Sequence, residues 1–323
     1  MSHTIETFTA LGERLRHFGT TAAHRAIITS AIADNPWFTE VDIRRAIDAV
    51  CEDMLNGDKL TAWLAQYTPT TEPRDVAVIM AGNIPLVGFF DLLCVVASGH
   101  RCHVKTSSKD RVLMRFVIEE LRTIDGDIAI FDYDDAQEYD MAIATGGDDA
   151  NRYFRKHFAQ TRTLLRGSRH SVAILDGTES NDEMRGLAHD ITSYSGLGCR
   201  SVSMIFVPED WRGELYAMSA VNDKLKNNIR MQRAMLTMQQ REYIDCDGYL
   251  AIYGDDFPTT LAAVTIYKYR SLEEVRRWIS ANSDRLQCIT THCDIEGSVP
   301  LGHAQRPTLW DYADGVDTMA FLR

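Results

Sequence analysis

The amino-acid sequence predicts an α/β protein with two wound domains, each built on a mostly parallel sheet, and a helical amino-terminal region. Two observations support this prediction. From residue 76 onward, short runs rich in β-branched and apolar residues alternate with longer amphipathic stretches, which is typical of parallel strands joined by crossover helices. With 323 residues, 45% of them hydrophobic, the chain is also long enough for two domains with substantial cores.

The first seventy residues are predicted to be helical. Thr39 and Asp42 form a capping-box pattern, and apolar residues follow at helical spacing until Asn56-Gly57 ends the run. The polar segment 68–73 contains two prolines and is interpreted as a linker. The expected division of the chain is 1–70, 71–167, 168–300 and 301–323.

The alternating part of the chain divides into two series of elements. Before residue 168 we predict strand 76–80, helix 86–97, strand 102–105, a helix capped by Ser107 and Asp110, strands 127–131 and 141–145, and helix 148–157. After it we predict strand 171–175, helix 181–193, strand 201–207, helix 211–240, strands 248–253 and 261–267, a helix capped by Ser271, and strand 286–290. Residues 317–322 alternate weakly and are predicted to form a closing or interface strand.

Composition and charge exclude several classes of function. A formal net charge of −12 argues against a nucleic-acid partner, since such proteins usually carry a basic face. Seven cysteines without a CxxC pair indicate neither a disulfide framework nor a zinc site, and fit a cytoplasmic protein. We see no signal peptide. Gly82, Pro85 and Asp91 interrupt the apolar stretch 76–98, so it is interpreted as a buried strand, turn and helix rather than a membrane span.

Several polar and glycine residues follow predicted strands of the first series. Asn83, Lys105 and Gly146-Gly147 all lie just after a strand, and parallel sheets bind ligands beyond the carboxyl ends of their strands. Each has a plainer explanation, because asparagine and glycine are common in turns and a lysine there is usually solvated. The chain has no G-x-G-x-x-G, Walker A, H-E-x-x-H or G-x-S-x-G sequence, so we predict no metal site and no serine nucleophile.

Cys199 is the candidate nucleophile. It lies in the glycine-rich segment Ser195–Arg200, where residues without Cβ allow close approach to the sulfur. The guanidinium of Arg200 is expected to favour the thiolate. The alternative is that Cys199, like Cys51 and Cys94, is a small buried apolar residue. An exposed cysteine together with an asparagine that can donate to an oxyanion suggests acyl transfer through a thioester.

The motifs around Asn83, Lys105, Gly146-Gly147 and Cys199, in this order along the chain, resemble the aldehyde dehydrogenase superfamily. Within it, three segments are similar to the acyl-CoA reductase family, which includes the fatty-acid reductase subunit of bacterial luminescence systems; the resemblance covers about residues 75–323. The superfamily motifs are Asn83-Ile84-Pro85, Val104–Ser107, Ala144–Gly147 and Gly198-Cys199, and the family segments are Ala81–Leu93, Gly196–Pro208 and Trp310–Phe321.

The resemblance implies an aldehyde-dehydrogenase-like fold and a nicotinamide-dependent enzyme that reduces an acyl thioester, such as acyl-CoA, to an aldehyde. Residues 71–167 would bind the cofactor, residues 168–300 would carry the catalytic cysteine, and the site would lie in the cleft between them. Cys199 would attack the thioester, and the Asn83 side-chain amide with the Cys199 N–H would hold the oxyanion. Hydride from the cofactor would then reduce the acyl-cysteine.

The resemblance also assigns cofactor-binding positions. Lys105 matches the superfamily lysine that contacts the adenosine ribose, Ser107 lies beside it, and Gly146 with Gly147 belongs to the same site. NAD-preferring relatives often carry a glutamate where this chain has Ser108 followed by Lys109. The missing carboxylate and the added cation favour NADPH, with NADH as the alternative.

The chain departs from the oxidising members in one respect. Their general-base glutamate corresponds to the stretch 164–168 here, which has no carboxylate; this fits a reductase, which must avoid hydrolysis. His170 is nearby but is interpreted as a surface residue, so the proton donor is unassigned. Two other functions stay open: a CoA-acylating aldehyde dehydrogenase working oxidatively, and a non-reducing acyl-carrier or scaffold subunit. The resemblance further implies a homo-oligomer, with the tail returning to the cofactor domain or to a subunit interface.

Overall fold

The chain folds into two compact units in the computed structural model. The first comprises Met1–Ser168 and Pro307–Arg323, and the second comprises Arg169–Arg306. The structure describes residues 2–68 and 70–323; Pro69, within the predicted linker, lies outside the described residues. Each unit is built on its own sheet, which confirms the predicted α/β class.

Four helices form the amino-terminal part of the first unit. Thr39 caps the third of them, since its Oγ1 accepts the N–H of Asp42 at 3.1 Å as the sequence predicts. The helical run ends at Met54, just before Asn56-Gly57 as predicted, and Asn56 also caps the fourth helix by accepting from Asp58 and Lys59. The helices are α1 (Ser2–Leu15), α2 (Ala22–Asp34), α3 (Glu40–Ala49, continued by a π-helical turn at Val50–Met54) and α4 (Gly57–Leu64).

The first sheet has five parallel strands in the order β3-β2-β1-β4-β5. Chain order therefore reverses between β1 and β4, and such a reversal marks the ligand-binding crevice of wound sheets. The strands are β1 (Asp75–Ile79), β2 (Arg101–Lys105), β3 (Ile130–Asp132), β4 (Met141–Thr145) and β5 (Arg162–Arg166), and the helices between them are α5 (Phe89–Ala97), α6 (Arg111–Ile124) and α7 (Asp148–His157).

A buried ion pair explains the carboxylate in the apolar helix α5. Asp91 is 5% exposed and accepts from Arg166 of β5 at 2.5 Å. Arg166 also donates to Thr318 Oγ1 at 2.7 Å. Since a buried charge is costly unless it is paired, these contacts account for Asp91 inside the core. Arg166, the one charged residue of the stretch 164–168, is therefore committed to structural contacts.

The tail packs on the first unit as a helix, so the predicted strand at 317–322 is wrong. Helix α11 spans Thr318–Phe321, and Asp317 caps it by accepting the N–H of Ala320 at 2.9 Å. His100 contacts the carbonyl of Leu322 at 2.6 Å. A side-chain cap outweighs the weak period-2 pattern of so short a segment.

The second unit is built on six strands in the order β11-β6-β7-β10-β9-β8, parallel except for the pairing of β8 with β9. Its strands are β6 (His170–Ile174), β7 (Val202–Pro208), β8 (Ile244–Asp245), β9 (Leu250–Tyr253), β10 (Ala263–Tyr269) and β11 (Leu286–Thr291), and its helices are α8 (Asn181–Thr192), α9 (Asp223–Met238) and α10 (Leu272–Ala281).

Helix α9 is shorter than the predicted helix 211–240. It begins at Asp223 because Asn222 caps it, accepting from Lys224 and Leu225. The preceding residues lack helical structure and include Gly213, a poor helix former. Among the described residues, none of the helices has the length and apolar character needed to cross a bilayer.

Candidate functional site

The predicted residues of the first unit lie at the carboxyl edge of its sheet. Asn83 lies in the turn between β1 and α5, Lys105 is the last residue of β2, and Gly146 directly follows β4. The loops after β1 and β2 touch, since a Cβ on Gly82 would lie 2.6 Å from both Cβ and Oγ of Ser107. The structure thus brings the Asn83 turn and Ser107 together.

A buried carboxylate holds the Asn83 turn. Asp110 was predicted to cap the next helix, but its side chain makes no cap hydrogen bond. Instead, its Oδ2 accepts the N–H of Leu86 at 2.7 Å, and Leu86 has a left-handed backbone with φ of 57°. Burial raises the pKa of Asp110 well above its usual value, although the Leu86 hydrogen bond opposes this. A long-range contact therefore replaces the predicted local one.

Lys105 is half exposed and bound by an acidic neighbour. Its Nζ lies 3.2 Å from Asp135 Oδ1 and 4.8 Å from the ring centroid of Tyr133. The hydrogen bond from Lys105 lowers the pKa of Asp135. Ser108 and Lys109, the basis for expecting NADPH, are exposed on the loop after β2. The charge around Lys105 is thus mixed rather than purely basic.

Two glycines separate β4 from α7. A Cβ on Gly146 would lie 2.7 Å from Cβ of Ala150, so this glycine allows the helix to pack closely on the strand. A Cβ on Gly147 would meet no heavy atom within 4 Å, which leaves room for a ligand beside the backbone. Asp148 and Asp149 lie in the first turn of α7 and oppose binding of a phosphate at that helix end.

Cys199 lies at the corner of a tight turn in the second unit. All seven cysteines are among the described residues, and Cys199 is the one classed as exposed. The N–H of Ser201 donates to the Gly198 carbonyl at 3.0 Å, which closes the turn. Ser171, fully buried, donates from Oγ to the Cys199 carbonyl at 2.8 Å. Cys199 is therefore an exposed residue on an anchored backbone, whereas Cys51 and Cys94 are buried as expected.

The backbone before the cysteine turn is strained. Tyr194, Ser195 and Gly196 have φ of 53°, 57° and 72°. Left-handed conformation is costly for residues other than glycine, so the surrounding packing must impose it at Tyr194 and Ser195. Both residues are buried. The consecutive left-handed residues separate α8 from the turn and direct the chain into it.

The Arg200 side chain contacts two groups other than the Cys199 thiol that it was expected to activate. Its Nε donates to the carbonyl of Ala304, and its Nη2 contacts the buried Cys288 sulfur at 3.4 Å. These contacts fix the residue after Cys199 in place. They assign Arg200 a role in holding the turn, while activation of the Cys199 thiol by Arg200 stays a prediction.

His170 is not the surface residue that the sequence suggested. Its ring stacks on Phe257 with centroids 4.0 Å apart, and its Nδ1 lies 3.2 Å from Ser203 Oγ. Burial lowers the pKa of His170, and the positive charge of Arg285 adds to that effect. A neutral, packed imidazole is the result.

One cluster offers metal-ligating atoms. Ligand atoms of Asp176, His292 and Cys293 lie within 4.8 Å of one another. His292 also contacts three carboxylates: its Nε2 lies 3.1 Å from Asp176 and 3.6 Å from Glu179, and its Nδ1 lies 2.8 Å from Glu183. Asp176 and Glu183 raise the pKa of His292 against the opposing effect of burial. The cluster is therefore a set of contacts between His292 and carboxylates that favours the protonated imidazole.

Sequence reasoning missed two residues that contact the candidate site, Ser171 and Asp135, and a third, Asp190, that supports it indirectly. Ser171 and Asp135 act through contacts that no local pattern indicates. Asp190, buried in α8, does have a signal, because it lies on the apolar face with Leu187 and Ile191. A carboxylate on an apolar helix face must find hydrogen-bond or ion-pair partners when it is buried, so such a residue indicates a structural or functional contact.

Comparison with known proteins places this chain in a family. Residues 44–245 match the sequence model of the family described as acyl-CoA reductase (LuxC). The chain is 23% identical over 217 residues to a long-chain acyl-protein thioester reductase 2 from Photobacterium leiognathi, covering 61% of this chain and 44% of that one. It is 25% identical over 154 residues to a long-chain acyl-protein thioester reductase from Aliivibrio fischeri, covering 42% and 32%. The chain thus spans less than half the length of these curated relatives.

Solved structures share the fold. Aldehyde dehydrogenase 21 from Physcomitrella patens superposes with a TM-score of 0.63 at 11% identity, covering 91% of this chain and 73% of that one. The NAD+ complex of an aldehyde dehydrogenase from Bacillus cereus gives 0.62 at 14% identity, covering 91% and 72%. Because the family model matches more than half of the chain, this protein belongs to the acyl-CoA reductase (LuxC) family and has an aldehyde-dehydrogenase-like α/β fold.

Proposed function

We propose that this protein reduces a fatty acyl thioester, such as acyl-CoA, to the aldehyde through an acyl group carried on Cys199. The observation that carries the proposal is the exposed residue Cys199 on an anchored turn, in a member of a family described by this activity. The names of the curated relatives support a thioester as substrate.

The chemical role of Cys199 is nucleophilic. Its thiolate attacks the thioester carbonyl, the carbon–sulfur bond to the donor breaks, and the donor leaves as a thiolate that takes up a proton. The product of this step is an acyl-cysteine. The Asn83 side-chain amide and the Cys199 N–H are the proposed donors to the oxyanion.

The first unit is the proposed site of the nicotinamide cofactor. The reversal of strand order between β1 and β4 and the open space beside Gly147 fit such a ligand. Lys105, Ser107, Ser108, Gly146 and Gly147 are the residues that would hold it. When bound, the cofactor supplies the hydride that reduces the acyl group. Lys109 and the exposed Ser108 favour NADPH over NADH, whereas Asp135 beside Lys105 reduces that preference.

Reduction is favoured over hydrolysis by the residues at 164–168. Arg166 occupies this stretch and is committed to Asp91 and Thr318. No carboxylate there can activate water against an acyl-cysteine. The oxidative, CoA-acylating reaction would use the same residues. The direction of the reaction is therefore decided by measuring turnover.

Turnover by the whole chain tests the proposal. NADPH and NADH consumption are followed with acyl-CoAs from short to long chain, in the wild type, Cys199→Ser and the matched control Cys293→Ser. We expect turnover that disappears in Cys199→Ser and persists in Cys293→Ser. Labelled acyl-CoA should attach to Cys199 in the wild type. Acyl labelling without consumption of either cofactor would favour the carrier function, and labelling that survives Cys199→Ser would overturn the nucleophile.

A further inference from the structure

Asp190 is a buried carboxylate that the proposed chemistry leaves unused. It lies in α8 and is 1% exposed. Its Oδ2 accepts the N–H of Gly302 at 2.7 Å and contacts Thr290 Oγ1 at 3.4 Å. Its Oδ1 accepts the N–H of Ala304 at 3.0 Å. Both oxygens are therefore used to hold the backbone of residues 302–304.

The segment 302–305, which Asp190 holds, also contacts the cysteine turn. The Ala304 carbonyl accepts from Arg200 Nε. The next residue, Gln305, donates from Nε2 to Ser201 Oγ at 3.1 Å and contacts the Asp190 carbonyl at 3.4 Å. Arg200 and Ser201 directly follow Cys199, so two links join the segment 302–305 to the turn.

Close packing makes the segment a fixed support. A Cβ on Gly186 of α8 would lie 3.0 Å from Cα of Gly302, so helix and segment meet backbone to backbone. A contact this close leaves little freedom for the segment to move relative to α8. Helix α8 thus supports the turn through Asp190, in addition to the contacts that the turn's own residues make.

The chemistry of the contact requires a carboxylate. Each carboxylate oxygen accepts a backbone N–H. A protonated Asp190 or an asparagine in its place would put an O–H or N–H donor opposite one of these N–H groups, which cannot accept it. Burial raises the pKa of Asp190 to about 6, against the effect of its hydrogen bonds from Gly302 and Ala304, which leaves it ionised at neutral pH. His303 on the same segment also favours the charged form.

We propose that Asp190 is a positioning residue for Cys199, acting through the segment 302–305 to hold the turn that presents the thiol. Its carboxylate is buried and acts through this segment. The inference rests on the proposed function for its kinetic consequence, while its structural consequence is independent of any activity. Misplacing a nucleophile lowers the rate of attack more than it weakens substrate binding.

The test compares Asp190→Asn with Asp182→Asn, an exposed residue of the same helix that pairs with Arg185. In Asp190→Asn we expect single-turnover acylation of Cys199 by acyl-CoA to slow by about tenfold, since a lost hydrogen bond to a charged group has effects of this size. The dissociation constant for acyl-CoA should change less than twofold. Asp182→Asn should match the wild type in both measurements.

Hydrogen exchange provides a readout that needs no activity. Amides of residues 198–202 and 302–305 should exchange faster in Asp190→Asn, while those of β1 stay unchanged. If the wild type is never acylated but this local change occurs, the proposed function fails and the positioning role stands. Gln305→Met removes the side-chain hydrogen bond to Ser201. If Asp190→Asn does not fold, exchange at residues 198–202 in Gln305→Met tests whether the segment 302–305 holds the turn.

Three results would overturn the inference. They are acylation and local exchange equal to the wild type in Asp190→Asn, weakened acyl-CoA binding with an unchanged acylation rate, and faster exchange throughout the second unit rather than at the two segments. If only Gln305→Met can be measured, an unchanged exchange rate at residues 198–202 would have the same meaning.

Discussion

The two units present their candidate residues at opposite ends of parallel strands. In the first unit, Asn83, Lys105 and Gly146 follow the carboxyl ends of β1, β2 and β4. In the second, Cys199 precedes β7, next to the amino end of β6, where Ser171 pairs with Val202. Strand order and the carboxyl-edge rule therefore locate the proposed cofactor residues, but they do not locate the nucleophile.

Asp110 in the first unit and Asp190 in the second are both buried against a loop, but their hydrogen-bond partners differ. Asp110 accepts the Leu86 N–H on Oδ2, while its buried Oδ1 has no hydrogen-bond partner among the described residues. Asp190 accepts backbone N–H groups on both oxygens. The pKa of Asp190 is raised only to about 6, whereas burial raises that of Asp110 well above its usual value. Each backbone N–H that a buried carboxylate accepts favours its charged form, and Asp190 accepts one more than Asp110.

The largest expected effect is at Asn83. Asn83→Ala removes the proposed oxyanion donor of the first unit and should lower turnover by about 10²–10³. Substrate binding should change little, because the donor acts mainly on developing charge. Steady-state kcat and KM measure this, with Asn56→Ala as the control: it removes a helix cap in the same unit and should affect stability but not turnover. Equal losses in kcat for both variants would contradict the role.

The second prediction concerns Asp110, whose pKa is raised further from its ordinary range than that of Asp190. Because the pKa of Asp110 is raised on folding, its contribution to stability is complete below its ordinary pKa near 3.8 and is lost as the pH rises toward the raised value. Asp110→Asn keeps an acceptor for Leu86 but removes this titration. Relative to the variant, the wild type should lose up to about 1.4 kcal/mol of unfolding free energy per pH unit within that range. Urea unfolding of both proteins from pH 4 to 8 measures the difference, and parallel curves would refute it.

A smaller effect is expected at Ser171, which anchors the cysteine turn. Ser171→Ala removes the donor to the Cys199 carbonyl and should slow acylation by about three- to tenfold, in line with a net hydrogen-bond contribution of about 0.5–1.5 kcal/mol. Ser203→Ala is the matched control, since its Oγ contacts His170 and not the turn. Single-turnover acylation measures both. Equal rates in the two variants would show that the turn does not depend on this hydrogen bond.

The smallest effect is expected at the exposed Asp135. Asp135→Asn releases Lys105 and removes a negative charge from the proposed adenosine site. Affinity for NADPH should rise by about threefold relative to NADH, since exposed ion pairs have modest effects. Fluorescence titration of each cofactor measures this, with the exposed Asp127→Asn as the control. A fall in NADPH affinity would mean that Asp135 supports the site rather than competing for it.

The sequence was sufficient for the alternating architecture because strand and helix periodicities are local. It missed β5, a partly buried strand that has an arginine at each end, Arg162 and Arg166. It placed Asp110 in a helix cap, because the contact with Leu86 depends on how two loops pack. Cys199 could be selected from its glycine-rich setting, but the support from Asp190 joins residues distant in the chain. Local patterns predict elements and exposed chemistry, and packing determines which buried residues support them.

The contact between Gly82 and Ser107 has a consequence for how such a protein can change over time. Any side chain at position 82 would overlap the side chain at 107, so a substitution at one site becomes tolerable only when the other shrinks or moves. One loop carries Asn83 and the other carries residues proposed to choose the cofactor. Descendants of this chain should therefore alter cofactor choice and the oxyanion turn as a linked pair, and their alignments should show positions 82 and 107 varying together.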